Sequence, residues 1–105
     1  MVMELSDSDF EETIGEGITL VDFWAPWCGP CKMAAPYVER LAEAMDGTAR
    51  VAKVNVDHNQ GVAGKYQVMS IPTFILFQDG EILERTSGFT PRFVEDWTKK
   101  IDAAA

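Results

Sequence analysis

The chain has 105 residues, 47% hydrophobic and 25% charged, and this composition predicts one globular domain spanning residues 1–105 with a single core. Nine basic residues against seventeen acidic ones give a net charge of −8, which disfavours binding to nucleic acid and to anionic membranes. No apolar run reaches the roughly 18 residues that a membrane helix needs, and the N-terminus lacks the pattern of a secretory signal, so we expect a cytoplasmic protein.

The first quarter of the chain is predicted to contain an edge strand, a helix and a central strand. Val2–Leu5 is a candidate for the short edge strand. Ser8 followed three residues later by Glu11 has the spacing of a capping box, which predicts a helix over residues 9–15. Residues 18–24 form a nearly continuous apolar, β-branched run. Such a run is typical of a strand that is buried on both faces.

The middle of the chain continues the alternation of helices and strands. Apolar residues recur at helical spacing from Met33 to Met45, and Asp46-Gly47 is a typical helix end. Residues 50–56 are mostly apolar, with Lys53 in the middle of the run, and predict a second buried strand. Residues 60–66 predict a short helix.

The last third predicts a hairpin followed by a helix. Strands at 73–77 and 81–87 flank Asp79-Gly80, a dipeptide that favours a tight turn. Thr90 as N-cap and Pro91 at the first helical position predict the start of an amphipathic helix. The order β-α-β-α-β-α-β-β-α predicts an α/β fold, in which a mixed sheet has helices on both faces. Its first half should be parallel and its closing hairpin antiparallel.

Both cysteines lie in one Cys-x-x-Cys, formed by Cys28 and Cys31. A disulfide at this spacing closes almost no loop, so it would stabilise the fold little. The two cysteines are therefore expected to have a chemical role rather than a structural one. Together with the lone His58 the two cysteines offer too few soft ligands for a zinc or iron–sulfur site. We therefore predict a dithiol/disulfide redox site and no metal.

The position of the pair predicts different roles for the two cysteines. They lie between the strand at 18–24 and the long helix, hence at the N-terminus of that helix, where free backbone N–H groups stabilise a thiolate. Cys28, at the boundary and expected to be more exposed, is the predicted nucleophile. Cys31 lies within the first turn and is the predicted resolving thiol.

Two charged residues interrupt the predicted buried strands. Asp22 lies in the middle of the strand at 18–24, where lost solvation should raise its pKa, and Lys53 is its expected partner. The two residues could form a plain structural ion pair. In the functional interpretation, which we favour, Asp22 accepts a proton from Cys31 through a water.

Several motifs together resemble the thioredoxin family over essentially the whole chain. The matching features are Trp27-Cys28-Gly29-Pro30-Cys31-Lys32, Asp22-Phe23-Trp24-Ala25, Ile71-Pro72-Thr73, Gly80 and Gly88. The resemblance implies a thioredoxin fold, with a central mixed sheet of about five strands flanked by four helices. It also implies a general protein-disulfide reductase whose redox group is its own disulfide, with no bound cofactor.

The resemblance further implies a substrate groove and an electron donor. Pro72 is expected to be cis and to face the disulfide, while the backbone of Ile71 pairs with the substrate chain. The implied groove is lined by Trp27, Gly29, Pro30, Ile71, Pro72 and Gly88. The expected partners are disulfide-containing proteins and a thioredoxin reductase that uses flavin and NADPH, with a ferredoxin-linked reductase as the alternative. A monomer is expected.

Other functions and some local features stay open at this point. A disulfide oxidase or isomerase of the same fold would more often carry a histidine between the cysteines, and a binding subunit would not need the thiols. Met69-Ser70 stands where Arg-Gly is frequent in the family, which leaves partner preference open. Phe89 could extend the groove or pack against the last helix, and we favour packing. The acidic N-terminal region is interpreted as a solvated surface rather than a docking patch.

Overall fold

A computed structural model describes residues 1–105 and contains five strands and four helices in the predicted order. The elements are β1 (Met3–Leu5), α1 (Phe10–Ile14), β2 (Ile18–Trp24), α2 (Gly29–Ala44), β3 (Arg50–Asn55), α3 (Gln60–Lys65), β4 (Thr73–Gln78), β5 (Glu81–Ser87) and α4 (Phe93–Ala104). No helix is both long and apolar enough to cross a membrane.

The five strands form one mixed sheet in the order β1-β3-β2-β4-β5. β3 pairs in parallel with β1 and β2, whereas β4 pairs antiparallel with β2 and β5. This confirms the predicted parallel first half and antiparallel hairpin. β2 lies at the centre, as its continuous apolar sequence predicted, because a central strand is covered on both faces.

Helices cover both faces of the sheet, and each face has its own core. On one face, α2 and α4 pack on Leu20, Phe74 and Leu76. On the other, α1 and α3 pack on Phe23 and Phe77 together with other strand residues. Alternate residues of a strand point to opposite faces, so both residue sets of β2 are buried. Asp22 shares the face of Leu20, which α2 covers.

Two predicted helix N-caps are wrong. The capping box of Ser8 and Glu11 does not form, because Ser8 bonds to Ser6 and the Glu11 carboxylate bonds to Lys65 of α3 instead. α1 begins at Phe10 and has no side-chain cap. α4 begins at Phe93 rather than after Thr90, since the residues from 90 to 93 first make a turn.

The start of α3 is capped from a distant part of the chain. Asp7, just after β1, accepts hydrogen bonds from the backbone N–H of Val62 at 2.8 Å and of Gly61 at 3.3 Å. The Asp7 N–H in turn donates to Asn59 at 3.0 Å. Asp7 thus takes the capping role that Asn59, the residue before α3, does not fill. One of the acidic N-terminal residues is therefore structural.

We expect Asp7→Ala to lower the free energy of unfolding by about 1–2 kcal/mol, since two backbone donors of α3 lose their acceptor. Asp46→Ala is a matched control, because Asp46 is exposed and its side chain has no hydrogen-bond partner. Urea titrations of both variants measure the difference. Equal unfolding midpoints would contradict the capping role.

Candidate active site

The two cysteines form a disulfide at the start of α2, with their Cα atoms 5.2 Å apart. Cys28 is the N-cap residue in extended conformation, and its sulfur accepts a hydrogen bond from the Cys31 N–H at 3.2 Å. Pro30 lies within the first helical turn, where its missing N–H leaves no gap in the helix. A backbone donor of a 16-residue helix is therefore aimed at the sulfur of Cys28.

The expected difference in exposure between the cysteines is wrong for the disulfide form. Cys28 is 4% exposed and Cys31 is 3% exposed. What differs is their place in the helix: Cys28 precedes the first turn, whereas Cys31 is within it and lines a cavity together with Asp22. The distinction between the two sulfurs thus rests on backbone position and neighbours.

The loop before β4 lies against the disulfide. The Ile71–Pro72 peptide bond is cis, as the family resemblance implied. The carbonyl oxygen of Ile71 lies 3.8 Å from the sulfur of Cys28. The N–H of Gly88 donates to the carbonyl of Pro72 at 2.9 Å, which joins the end of β5 to this loop. The structure thus brings Ile71, Pro72 and Gly88 to the neighbourhood of Cys28.

The rim of the site is exposed and partly apolar. Trp27 is 67% exposed, and Gly29 and Pro30 are exposed beside it. The indole N–H of Trp27 donates to the carboxylate of Asp57 at 3.0 Å, which orients the ring. Sequence reasoning missed Asp57, since it lies 30 residues from Trp27 and follows β3 in a polar turn that gave no signal.

Asp22 is buried behind Cys31. It is 5% exposed, and its Oδ1 atom has no hydrogen-bond partner in the protein. A cavity of about 100 Å³ is lined by Asp22, Cys31, Trp24 and Lys53 among others, and it is large enough to hold a water. Burial raises the pKa of Asp22 to about 7, and the charge of Lys53 opposes this rise.

The plain ion pair between Asp22 and Lys53, which the sequence left open as an alternative, does not form. The two residues are direct neighbours in the β2–β3 register, yet no contact within 4.0 Å joins their charged groups. The Lys53 ammonium instead lies 4.9 Å from the centre of the Trp24 ring. Lys53 therefore acts on Asp22 through the field of its charge, without neutralising the carboxylate by contact.

Phe89 packs, as favoured from the sequence. Its ring centre lies 5.0 Å from that of Tyr37 on α2 and 6.1 Å from that of Phe93 on α4. These contacts fix the chain just after Gly88 against two helices.

Comparison with known proteins identifies the family of this chain. Residues 1–100 match the family model described as Thioredoxin. Thioredoxin of Staphylococcus epidermidis is 53% identical over 91 residues, which cover 87% of this chain and 88% of that protein. Thioredoxin of Staphylococcus saprophyticus is 50% identical and thioredoxin of Bacillus subtilis 48% identical, over the same shares of both chains.

This chain belongs to the thioredoxin family. Membership confirms the predicted α/β thioredoxin fold, and it agrees with the position of the disulfide at the start of α2. The protein is a thiol–disulfide oxidoreductase that reduces disulfides of other proteins. Its redox group is its own Cys28–Cys31 disulfide. A thioredoxin works with disulfide-containing substrates and with a reductase that regenerates its dithiol.

Proposed function

We propose that this thioredoxin is a general, cytoplasmic reductant of protein disulfides that acts as a single domain over residues 1–105, with Cys28 as nucleophile and Cys31 as resolving thiol. The observation that carries the division of roles is the hydrogen bond from the Cys31 N–H to the sulfur of Cys28. The same donor would stabilise a thiolate on Cys28, in addition to the dipole of α2.

The reaction moves two electrons to the substrate in two exchange steps. The Cys28 thiolate attacks one sulfur of the substrate disulfide, forms a mixed disulfide and releases the other sulfur as a thiolate. Cys31 then loses its proton and attacks the sulfur of Cys28. The Cys28–Cys31 disulfide forms, the bond to the substrate breaks, and the second substrate sulfur leaves as a thiolate. Both substrate thiolates take protons from the solvent.

Asp22 is the proposed acceptor of the Cys31 proton. Its ionised carboxylate shares a cavity with Cys31, and a pKa of about 7 allows it to accept and release a proton near neutral pH. A water in this cavity would bridge the two groups. Lys53 is the proposed partner that keeps part of the Asp22 population ionised, since its positive charge lowers the pKa that burial raises.

The proposed substrate groove runs beside the disulfide and is lined by Trp27, Gly29, Pro30, Ile71, Pro72 and Gly88. Its surface is small and partly apolar, and the half-buried Ile71 offers backbone groups to an extended peptide. Pairing with the backbone of a substrate depends little on the substrate's side chains, so we infer broad specificity. The exposed Met69, 91% accessible, lies two residues before Ile71 and would contact residues that flank the substrate disulfide.

The proposed electron donor is a flavin-dependent thioredoxin reductase that uses NADPH, with a ferredoxin-linked reductase as the alternative. We further infer that the protein works as a monomer. A coupled assay distinguishes the donors: turnover of NADPH with a flavin reductase supports the first, and turnover only with a ferredoxin-linked enzyme supports the second.

A redox titration of the Cys28–Cys31 pair against glutathione tests the reductant assignment. We expect a potential close to the roughly −270 mV of a reductant and well below the roughly −120 mV of a strong oxidant. Insulin reduction is measured alongside it, and we expect it to be lost when either cysteine is replaced by serine. A potential in the oxidant range would favour an oxidase, and failure of the unsubstituted protein to reduce insulin would favour a binding role.

A further inference from the structure

The loop from Tyr66 to Pro72 leads from the end of α3 to the active site, and one side chain holds its first half. Arg85 of β5 donates hydrogen bonds to the backbone carbonyls of Tyr66 at 2.5 Å and of Gln67 at 2.7 Å. No other side chain bonds to the backbone of residues 66–69.

Arg85 is placed for this contact by the sheet register. It lies opposite Ile75 of β4, on the face that α1 and α3 cover, so its side chain reaches the end of α3. A cation there complements the negative end of the helix, and charge strengthens both hydrogen bonds.

The contact fixes the direction in which the chain leaves α3. Gln67 has a φ of +53°, in the left-handed region that a residue other than glycine rarely adopts. Both carbonyls that Arg85 binds lie at this turn. Beyond it, Ser70 accepts a hydrogen bond from Thr73 at 2.6 Å, and Ile71 reaches the sulfur of Cys28. The loop is therefore held at one end by Arg85 and at the other by β4.

We propose that Arg85 is a positioning residue for substrate binding, which holds the loop so that the backbone of Ile71 is ready to pair with a protein substrate. This inference rests on the proposed function, because it requires that substrates pair with Ile71. Arg85 contacts neither the cysteines nor the substrate. Its loss should therefore weaken the binding of extended protein substrates and leave the exchange chemistry of Cys28 unchanged.

The test compares a protein disulfide with a small one. We expect Arg85→Met to raise the KM for insulin about threefold to tenfold, as expected for the loss of interactions that hold a binding surface, with kcat little changed. The rate constant with bis(2-hydroxyethyl) disulfide, which is too small to use the loop, should change by less than about twofold. Arg85→Lys keeps the charge and can reach one carbonyl, so its KM should lie between those of Arg85→Met and the unsubstituted protein.

Lys99→Met is the charge-matched control, since it removes one positive charge from the exposed surface of α4. It should leave both reactions unchanged. An equal loss on both disulfides, an equal effect of Lys99→Met, or an unchanged KM for insulin would each overturn the role of Arg85. If the unsubstituted protein fails to reduce insulin at all, the proposed function itself is wrong.

Hydrogen exchange gives a readout that general destabilisation would not mimic. In Arg85→Met, faster exchange confined to the amides of residues 67–71 would support the positioning role. Exchange that rises uniformly over the sheet would overturn it, and Arg85→Lys provides the same comparison if the methionine variant does not fold.

Discussion

Replacing Asp22 by alanine should make the protein more stable at neutral and alkaline pH while slowing its catalytic cycle. Asp22 is 5% exposed and lacks a partner for Oδ1, so its ionised form is poorly solvated in the folded protein. The displacement of its pKa from 3.8 to about 7 corresponds to about 4 kcal/mol. Removing the carboxylate removes this cost and loses some packing, so we expect a net gain of about 2 kcal/mol at about pH 8.

The pH dependence of this effect has a defined direction. Because the pKa of Asp22 is higher in the folded than in the unfolded protein, the folded state holds its proton more tightly. The contribution of Asp22 to stability is therefore fully present below about pH 4 and is lost as the pH rises through about 7. Urea titrations of the oxidised protein should show this fall. It should be absent in Asp22→Ala and preserved in the control Asp46→Ala.

The same substitution should slow the step in which Cys31 resolves the mixed disulfide. Without a buried base the Cys31 proton must leave by another route, and we expect a rate about tenfold to a hundredfold lower at neutral pH. Single-turnover reduction of insulin, followed by quenching and separation of the mixed disulfide, measures this step. A large loss of stability together with unchanged resolution would show that Asp22 is merely structural.

The parts of the fold that could be predicted from the sequence are those with local signals. The apolar run at 18–24 gave the central strand, and Asp79-Gly80 gave a hairpin whose two turn residues have φ values of +51° and +87°. The start of α4 was mispredicted because Thr90-Pro91 has the composition of a helix start, while the chain first makes a turn there.

In the candidate site, too, the residues that could be predicted are those with local sequence signals. The Cys-x-x-Cys motif and its position before the long helix predicted Cys28 and Cys31 as site residues. A carboxylate in the middle of an apolar strand predicted Asp22. That Lys53 lies over Trp24 rather than on Asp22 depends on side-chain packing, which no pattern encodes.

Contacts between distant segments had no sequence signal at all. Arg85 lies 18 residues beyond Gln67, and Asp7 lies 55 residues before Val62, and neither pair belongs to a recognisable motif. From the sequence alone, both residues would be interpreted as ordinary charged residues on the surface. Their roles come from the sheet, which brings β5 beside the end of α3 and the end of β1 beside its start.

Replacing one cysteine or the other by serine should have very different effects on mixed-disulfide formation, because the two cysteines have different proposed roles. With Cys31→Ser, the Cys28 thiolate can still attack a substrate disulfide, but no thiol can resolve the product. We expect the mixed disulfide to accumulate in most of the protein. With Cys28→Ser, the remaining thiol lies inside the first turn of α2 beside Asp22, and it lacks the backbone donor that the sulfur of Cys28 receives, so adducts should be scarce.

Trapping by these two variants is the most direct test of the proposed mechanism. Each variant is incubated with insulin, the free thiols are blocked, and the covalent adducts are quantified on non-reducing gels and by intact mass. Cys31→Ser should hold at least about ten times as much adduct as Cys28→Ser, since attack requires a thiolate and only the sulfur of Cys28 receives the backbone donor that stabilises one. Equal trapping by the two variants, or more by Cys28→Ser, would contradict the assignment of Cys28 as nucleophile and Cys31 as resolving thiol.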